Sequence, residues 1–248
     1  MNIFSLKGKK ILITGASSGI GKQIAITLAE YGASLTLLGR DANRLNEVID
    51  SLPENSHRKF SIDITDSIAL TELVNNFVES FDGIVFNAGI VEYLPIKFIK
   101  TDTIQKIFNI NFNANVLLSQ QLIKSKKINQ NGSIVFISSL SSKLGVAGTA
   151  LYASSKAALN TYSKVLATEL APKGVRSNCI CPGIVRTSVI DQLKQLLSVS
   201  ILEDSERSYP LGYNDPIDIA ALVIYLLSDA SKRMTGSELI IDGGYSLI

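Results

Sequence analysis

The sequence is poor in the residues that staple or ligate: among 248 residues it has no tryptophan, two cysteines, two methionines and one histidine. Two thiols, Cys179 and Cys181, cannot make a disulfide framework. They lie two apart in an apolar stretch, so on a strand they share a face and can be neighbours in a core. His57 is the one imidazole, in a polar loop, so no cluster has zinc-ligand spacing and no metal site is expected. Charge of one sign is missing as well. Twenty-four Lys and Arg stand against 22 Asp and Glu, a formal net charge of +2, far from the concentrated basic surface that holds nucleic acid. The longest basic cluster, Lys124-Ser125-Lys126-Lys127, follows a helical pattern, where cations suit the negative end of the macrodipole. Long apolar runs are absent too. The densest, Ile219 to Leu227, has nine residues against about 20 for a membrane helix. Met1 to Lys10 hold no apolar stretch of signal-peptide length, so no membrane is expected and a reducing cytoplasm is the expected location.

What is there reads as a globular chain, 46% hydrophobic and 19% charged. A chain of this length buries roughly 70–75% of the surface its unfolded form exposes, enough for a core without staples. Apolar strands alternate with amphipathic helices. Strands are expected at residues 10–14, 34–39, 59–62, 83–86, 133–137, 175–181 and 238–241. Helices are expected at 20–31, with Ile20, Ile24, Leu28 and Tyr31 on one face, and at 41–52, 67–81, 104–123, 152–170 and 218–227. Continuous apolar strands with helices between them imply α/β architecture: one doubly wound, Rossmann-type domain over residues 1–248, a parallel sheet of about seven strands with helices on both faces.

Three glycines follow the first strand in Thr14-Gly15-Ala16-Ser17-Ser18-Gly19-Ile20-Gly21, and a helix follows them directly. Gly15 permits a tight turn, Gly19 lets backbone N–H groups approach a pyrophosphate, and Gly21 lets helix and strand pack closely. The spacing is G-x-x-x-G-x-G, and its place between first strand and first helix points to dinucleotide binding. At the end of the second strand the chain reads Gly39-Arg40-Asp41. Arg40 offers a planar cation suited to a 2′-phosphate, which favours NADP(H). Asp41 keeps NAD(H) open, since a strand end one residue later would bring its carboxylate to the ribose.

Tyr152-Ala153-Ser154-Ser155-Lys156 places a phenol and an ammonium four apart on one helix face. A phenol titrates near 10, so acid–base work near neutrality calls for a neighbouring positive charge, and Lys156 can supply it. At about 4 Å and an effective dielectric of about 20 the attraction is of order 4 kcal/mol as an upper guide. Ile137-Ser138-Ser139-Leu140 ends a strand upstream, and ligands of such sheets bind at the carboxyl ends of strands. Phe86-Asn87-Ala88-Gly89 ends the fourth strand, with residues apt for a turn that passes close to a cofactor.

Together these motifs resemble the short-chain dehydrogenase/reductase family, over essentially the whole chain, from Thr14 to Asp242-Gly243-Gly244. Asp63, Asn111 within Asn109-Ile110-Asn111-Phe112, and Pro182-Gly183 with Thr187 add to the match. The resemblance implies that Tyr152 is the acid/base, that Lys156 binds the nicotinamide ribose and lowers the Tyr pKa, and that Ser139 orients the carbonyl. Ser138, Ser141 and Ser142 are close rivals of Ser139. Asn111 would hold a water for proton relay. Gly15, Ser17, Ser18, Gly19, Ile20 and Gly21 would cradle the phosphates. Asp63 and Ile64 would contact the adenine, Asn87, Ala88 and Gly89 the adenosine side, and Pro182, Gly183, Ile184 and Thr187 the carboxamide and phosphates. The implied reaction moves a hydride between NADP(H) and a carbonyl or secondary alcohol, with a 3-oxoacyl thioester as one substrate class. The alternatives are an NAD-dependent alcohol, sugar or steroid dehydrogenase and a nucleotide-binding protein without turnover. Residues 188–213, rich in Leu, Ile and Val, are expected to form a substrate lid or to pack on another subunit. The family resemblance also implies a homotetramer or homodimer.

Overall fold

The computed structural model describes residues 2–54, 56–188, 190 and 204–247. Seven parallel strands form one sheet in the order β3-β2-β1-β4-β5-β6-β7. They are β1 (Lys10–Thr14), β2 (Ser34–Gly39), β3 (Arg58–Ser61), β4 (Phe81–Phe86), β5 (Ile128–Ile137), β6 (Arg176–Pro182) and β7 (Glu238–Ile241). The helices between them are α1 (Gly19–Glu30), α2 (Ala42–Ser51), α3 (Ser67–Asn76), α4 (Thr101–Phe108), α5 (Ala114–Lys124), α6 (Ala150–Leu170) and α7 (Pro216–Leu227). Strand order reverses beside β1, and in such sheets the crevice at the strand ends there receives ligands.

The two-residue period of a strand divides the core. Ile11 and Ile13 face a cluster with Ile24 and Leu28 of α1, Leu45 and Val48 of α2, and Val223 and Leu227 of α7. Leu12 faces the opposite cluster, with Leu70 and Val74 of α3, Leu118 and Leu122 of α5, and Leu159 and Leu166 of α6. Cys179 is fully buried in the second cluster, and Cys181 is fully buried one pleat further along β6; both thiols are free.

Local chemistry sets the helix starts. Asp41 caps α2 by accepting from Arg44 N at 3.0 Å, and Asp66 caps α3 by accepting from Ile68 N and Ala69 N. Asp215 and Asp218 form a capping box around Pro216 at the start of α7.

Several expected boundaries move, each for a reason outside the local pattern. Tyr31 is not on the buried face of α1 but is its exposed C-cap, and its carbonyl accepts from Leu6 N at 3.1 Å. The helix expected over 67–81 stops at Asn76. Phe77 leaves it to meet Phe60 and Phe81 edge-on at 5.8 and 5.2 Å, and Phe81 opens β4. The single helix expected over 104–123 is two, joined by a π turn at Asn109–Asn113. His57 is not free in its loop. Its Nδ1 accepts from Leu35 N at 3.2 Å and its Nε2 lies 3.1 Å from Pro53 O, so it closes the start of the β2–β3 ladder.

Candidate active site

The glycine turn folds as its spacing implies. Gly15 and Gly19 hold φ of +65° and +53°, a region that disfavours side chains. A Cβ on Gly15 would lie 2.8 Å from Ala88 Cα, so the turn is pressed against the end of β4. Ser18 caps α1 without a side-chain hydrogen bond, which leaves the first-turn N–H groups for an anion. Ser17, Ser18, Gly19 and Ile20 line the cleft. Gly21 does not. It lies beneath the turn, where a Cβ would come within 2.1 Å of Gly15 O and 2.5 Å of Asn87 Nδ2. Gly21→Ala is therefore expected to destabilise the fold by about 1–3 kcal/mol through overpacking. It should also weaken dinucleotide binding at least about tenfold, since the displaced atoms carry the cradle; thermal melting and cofactor titration measure the two effects.

Thr14 is the residue of this turn that sequence reasoning left without a role. Its fully buried hydroxyl accepts from both Asn87 N and Ala88 N at 3.1 Å. Asn87 Nδ2 returns two bonds, to Thr14 O at 3.2 Å and Gly15 O at 3.0 Å. A hydroxyl at the end of an otherwise apolar strand was the available signal.

The next part of the cleft is charged. β2 ends at Gly39, so Arg40 is the first residue past the strand and lines the cleft. Asp41 also lies on the wall, but its carboxylate is engaged by its own helix. It accepts from Arg44 N and pairs with Arg44 Nε at 3.3 Å. Arg44 lines the same cleft and was missed in the sequence, where it is one more polar residue of an amphipathic helix. Asp63 accepts from Thr65 N at 2.9 Å and Thr65 Oγ1 at 2.8 Å, and these bonds hold its carboxyl below the usual range. Ile64 beside it is buried, with its exposed edge on the cleft.

At the other end, Tyr152 and Lys156 stand one turn apart on α6. The Lys156 Nζ lies 5.8 Å from the Tyr152 ring centroid and donates to Ile137 O at 2.8 Å. Tyr152 and Ser139 line the same stretch of the cleft, and the Ser139 side chain is near enough to act on the Tyr152 phenol. Two of the three rival hydroxyls are engaged, and Ser141 lines the cleft beside Ser139. Ser138 Oγ donates to Lys156 O at 3.3 Å and Ser142 Oγ to Ser139 O at 2.6 Å. Ser141 donates its backbone N–H to Ser139 Oγ at 3.1 Å. The electrostatic expectation needs correcting. Burial pushes the Tyr152 phenol up to about 12, and the nearby Ser139 hydroxyl offsets this only in part. Burial likewise brings Lys156 down to about 8. Desolvation is the largest cause in both, and both groups move towards their neutral forms.

Asn111 is fully buried in the π turn. Its Oδ1 accepts from Ile90 N at 2.8 Å, and its Nδ2 donates to Ile90 O at 2.9 Å and Ser155 Oγ at 3.1 Å. Its backbone carbonyl accepts from Asn115 Nδ2 at 2.7 Å. Its side chain thus fastens the loop after β4 to the helix that carries Tyr152. Asn87, Ala88 and Gly89 line the cleft, and a Cβ on Gly89 would come within 3.2 Å of Lys156 Nζ.

Pro182, Gly183, Ile184 and Thr187 complete the wall. A Cβ on Gly183 would lie 3.0 Å from the Tyr209 ring, which stacks on Tyr245 at 4.5 Å. Of the expected lid, residues 189 and 191–203 lie outside the described residues; Ser205 and Tyr209 from its far end line the cleft. One cleft of about 1320 Å³ joins the cradle, Arg40, Asp63, Ser139, Tyr152, Lys156 and this wall, with Thr14, Gly21 and Asn111 packed outside its lining. Among the described residues no group of three or more His, Cys, Asp or Glu could hold a metal ion, and no helix is long and apolar enough to cross a membrane.

Comparison with known proteins agrees with this geometry. The family model described as enoyl-(acyl carrier protein) reductase matches residues 15–246. The chain is 32% identical over 250 residues to the 3-oxoacyl-[acyl-carrier-protein] reductase FabG of Rickettsia felis, covering 99% of this chain and 100% of that one. It is 32% identical over 246 residues to the D-erythrulose reductase of Gallus gallus, covering 97% of each. A solved structure of a provisional NAD(P)-dependent gluconate 5-dehydrogenase from Beutenbergia cavernae, with NADP bound at low occupancy, superposes with a TM-score of 0.90 at 29% identity over 100% of both chains. With the seven-stranded order, the glycine cradle and these full-length matches together, the chain belongs to the short-chain dehydrogenase/reductase family, oxidoreductases that use a nicotinamide cofactor on a small carbonyl or alcohol substrate.

Proposed function

We propose that this chain is an NADP(H)-dependent carbonyl reductase, with Tyr152 as its acid/base, Ser139 holding the substrate oxygen and Lys156 holding the nicotinamide ribose. The observation that carries the reading is the convergence of Ser139, Tyr152 and, one helical turn on, a buried Lys156 on the same cleft as an uncapped, glycine-lined helix N-terminus. The cradle passes a simple test of fit: side chains at Gly15 and Gly19 would be strained, and the bare backbone leaves room for a pyrophosphate.

A bound nicotinamide supplies or accepts the hydride at the substrate carbon. Tyr152 holds the proton that the substrate oxygen takes up on reduction, and Ser139 Oγ donates to that oxygen as negative charge develops. Lys156 carries three donors, of which Ile137 O takes one, leaving two for a ribose diol. Asn111 acts by fixing Ile90. Arg40 and Arg44 are suited to a 2′-phosphate, and the engagement of Asp41 as a helix cap disfavours the NAD(H) alternative. Asp63 and Ile64 serve the adenine, and Pro182, Gly183, Ile184 and Thr187 the nicotinamide amide and phosphates. Val91, Leu140, Leu144 and Val146 give the catalytic end an apolar wall that suits a 3-oxoacyl thioester. The reading includes a homodimer or homotetramer, supported by half-exposed Leu117 and Val165 on α5 and α6, and a reducing cytoplasm, which suits the two free thiols.

The cofactor assignment is tested by Arg40→Asp. Losing a charge-assisted phosphate contact and gaining a like charge should lower kcat/KM for NADPH by about 100-fold, with little change for NADH. Rates of NADPH and NADH oxidation with acetoacetyl-coenzyme A provide the comparison. An undiminished NADPH preference would overturn the assignment.

A further inference from the structure

Behind Ser139, on the side away from the cleft, lies a polar cluster that neither the cradle nor the Tyr152 centre uses. Ser142 closes the turn onto Ser139 twice: its N donates to Ser139 O at 3.0 Å and its Oγ donates to the same oxygen at 2.6 Å. Ser142 Oγ in turn accepts from Asn160 Nδ2 at 2.8 Å. Asn160 sits on α6 one turn beyond Lys156 and is only 4% exposed. The same amide nitrogen donates to Glu238 Oε2 on β7 at 2.8 Å and lies 3.8 Å from Cys181 Sγ. Lys143 and Lys164 both pair with the Glu238 carboxylate.

The cluster has a direction. A carboxylate only accepts, so Glu238 decides which end of the Asn160 amide faces it. With the amide donating, the Ser142 hydroxyl becomes the acceptor there and is left to aim its proton at Ser139 O. Asn160 is also costly to keep for packing alone. Its Oδ1 is buried without a hydrogen-bond partner, a desolvation cost that an apolar side chain of the same size would avoid.

We propose that Asn160, held by Glu238, is a positioning residue that fixes the turn carrying Ser139, so that the Ser139 hydroxyl meets the substrate oxygen beside Tyr152. This rests on the assignment of Ser139 made above. Among the described residues the other neighbour of the Ser142 hydroxyl is Cys181 Sγ at 3.9 Å, a weaker partner than the Asn160 amide, and a loosely held Ser139 loses the alignment that a reacting carbonyl needs.

The test is steady-state reduction by the full chain of a panel comprising acetoacetyl-coenzyme A, erythrulose and cyclohexanone, followed with the member reduced fastest. Asn160→Leu should lower kcat about tenfold and leave the NADPH dissociation constant within about twofold, because only the catalytic end is loosened. Ser142→Ala should do the same, and Ser142→Thr, which keeps the hydroxyl, should restore kcat to within about threefold. The decisive measurement is the double variant: in a Ser139→Ala background, Asn160→Leu should change kcat less than about twofold, since both act on one group. Equal losses with and without Ser139, or full activity of Ser142→Ala, would overturn the inference while leaving Ser139 assigned. If Ser139→Ala keeps wild-type kcat, or the wild type reduces no member of the panel, the Ser139 assignment itself falls. Should Asn160→Leu fail to fold, the Ser142 pair in the Ser139→Ala background gives the same decision.

Discussion

Tyr152→Phe is expected to lower kcat for carbonyl reduction by about 10²–10⁴-fold, the range for loss of a positioned acid. The NADPH dissociation constant should stay within about twofold, since the ring and its packing remain and only the hydroxyl beside Ser139 is lost. The pH profile adds a second signature. With the phenol pushed up to about 12 by burial, it stays protonated through the neutral range, so the reductive kcat should be flat between about pH 6 and 8. Alcohol oxidation needs the phenolate, so its rate should rise about tenfold per pH unit over the same interval. Above about 8 the rise should bend as Lys156, brought down to that value by burial, loses its charge. The Phe variant should show no such slope. Wild-type rates in Tyr152→Phe would remove the phenol from the chemistry.

The second large effect lies at the opposite end of the sheet. Arg176 opens β6 and is 9% exposed. Its Nη1 donates to Ser231 Oγ at 2.8 Å, and its Nη2 to Leu226 O at 2.8 Å and Ser228 O at 3.3 Å, at the C-terminus of α7. A helix end leaves carbonyls without partners, and a cation there also complements the dipole. Burial works against the guanidinium, lowering its pKa, and the nearby Asp229 carboxylate opposes this. Arg176→Leu should cost about 2–4 kcal/mol, from the loss of three charge-assisted bonds, to Ser231 Oγ, Leu226 O and Ser228 O. For a chain of this size that is a fall in Tm of about 5–15 °C. The folded fraction should keep its NADPH affinity and kcat. Thermal melts alongside active-site titration measure both, and an unchanged Tm would show that water replaces the guanidinium at little cost.

Much of this molecule could be read from the sequence because its strongest signals are local. Apolar, β-branched runs such as Ile11-Leu12-Ile13, short and followed by a glycine turn, suit strands buried on both faces, and β7 falls on the residues its pattern marked. The cradle was legible since three glycines that close together, between strand and helix, have few other uses. What escaped depends on partners distant in sequence. The π turn exists because Asn111 must reach Ile90, and the alternating asparagines at 109, 111, 113 and 115 were its only trace. Asp41 is a helix cap, Arg44 a wall of the cleft, and neither role is visible without the end of β2 in place. The sign of the Tyr152 shift was misread because spacing gives the distance to a charge but not the depth of burial, and burial dominates.

The strand order has one further consequence. The groups suited to the coenzyme's adenosine end, Arg40, Arg44 and Asp63, all come from the stretch before α3, while Ser139, Tyr152 and Lys156 come from the stretch after β5 begins. The two halves of the sheet meet side by side at β1 and β4, through the ladder from Ile11 opposite Gly83 to Ile13 opposite Val85. On the function proposed above, which reductant the enzyme draws on and which bond it acts on are therefore written in separate passages of the polypeptide. Either can drift by substitution without forcing a rewrite of the other.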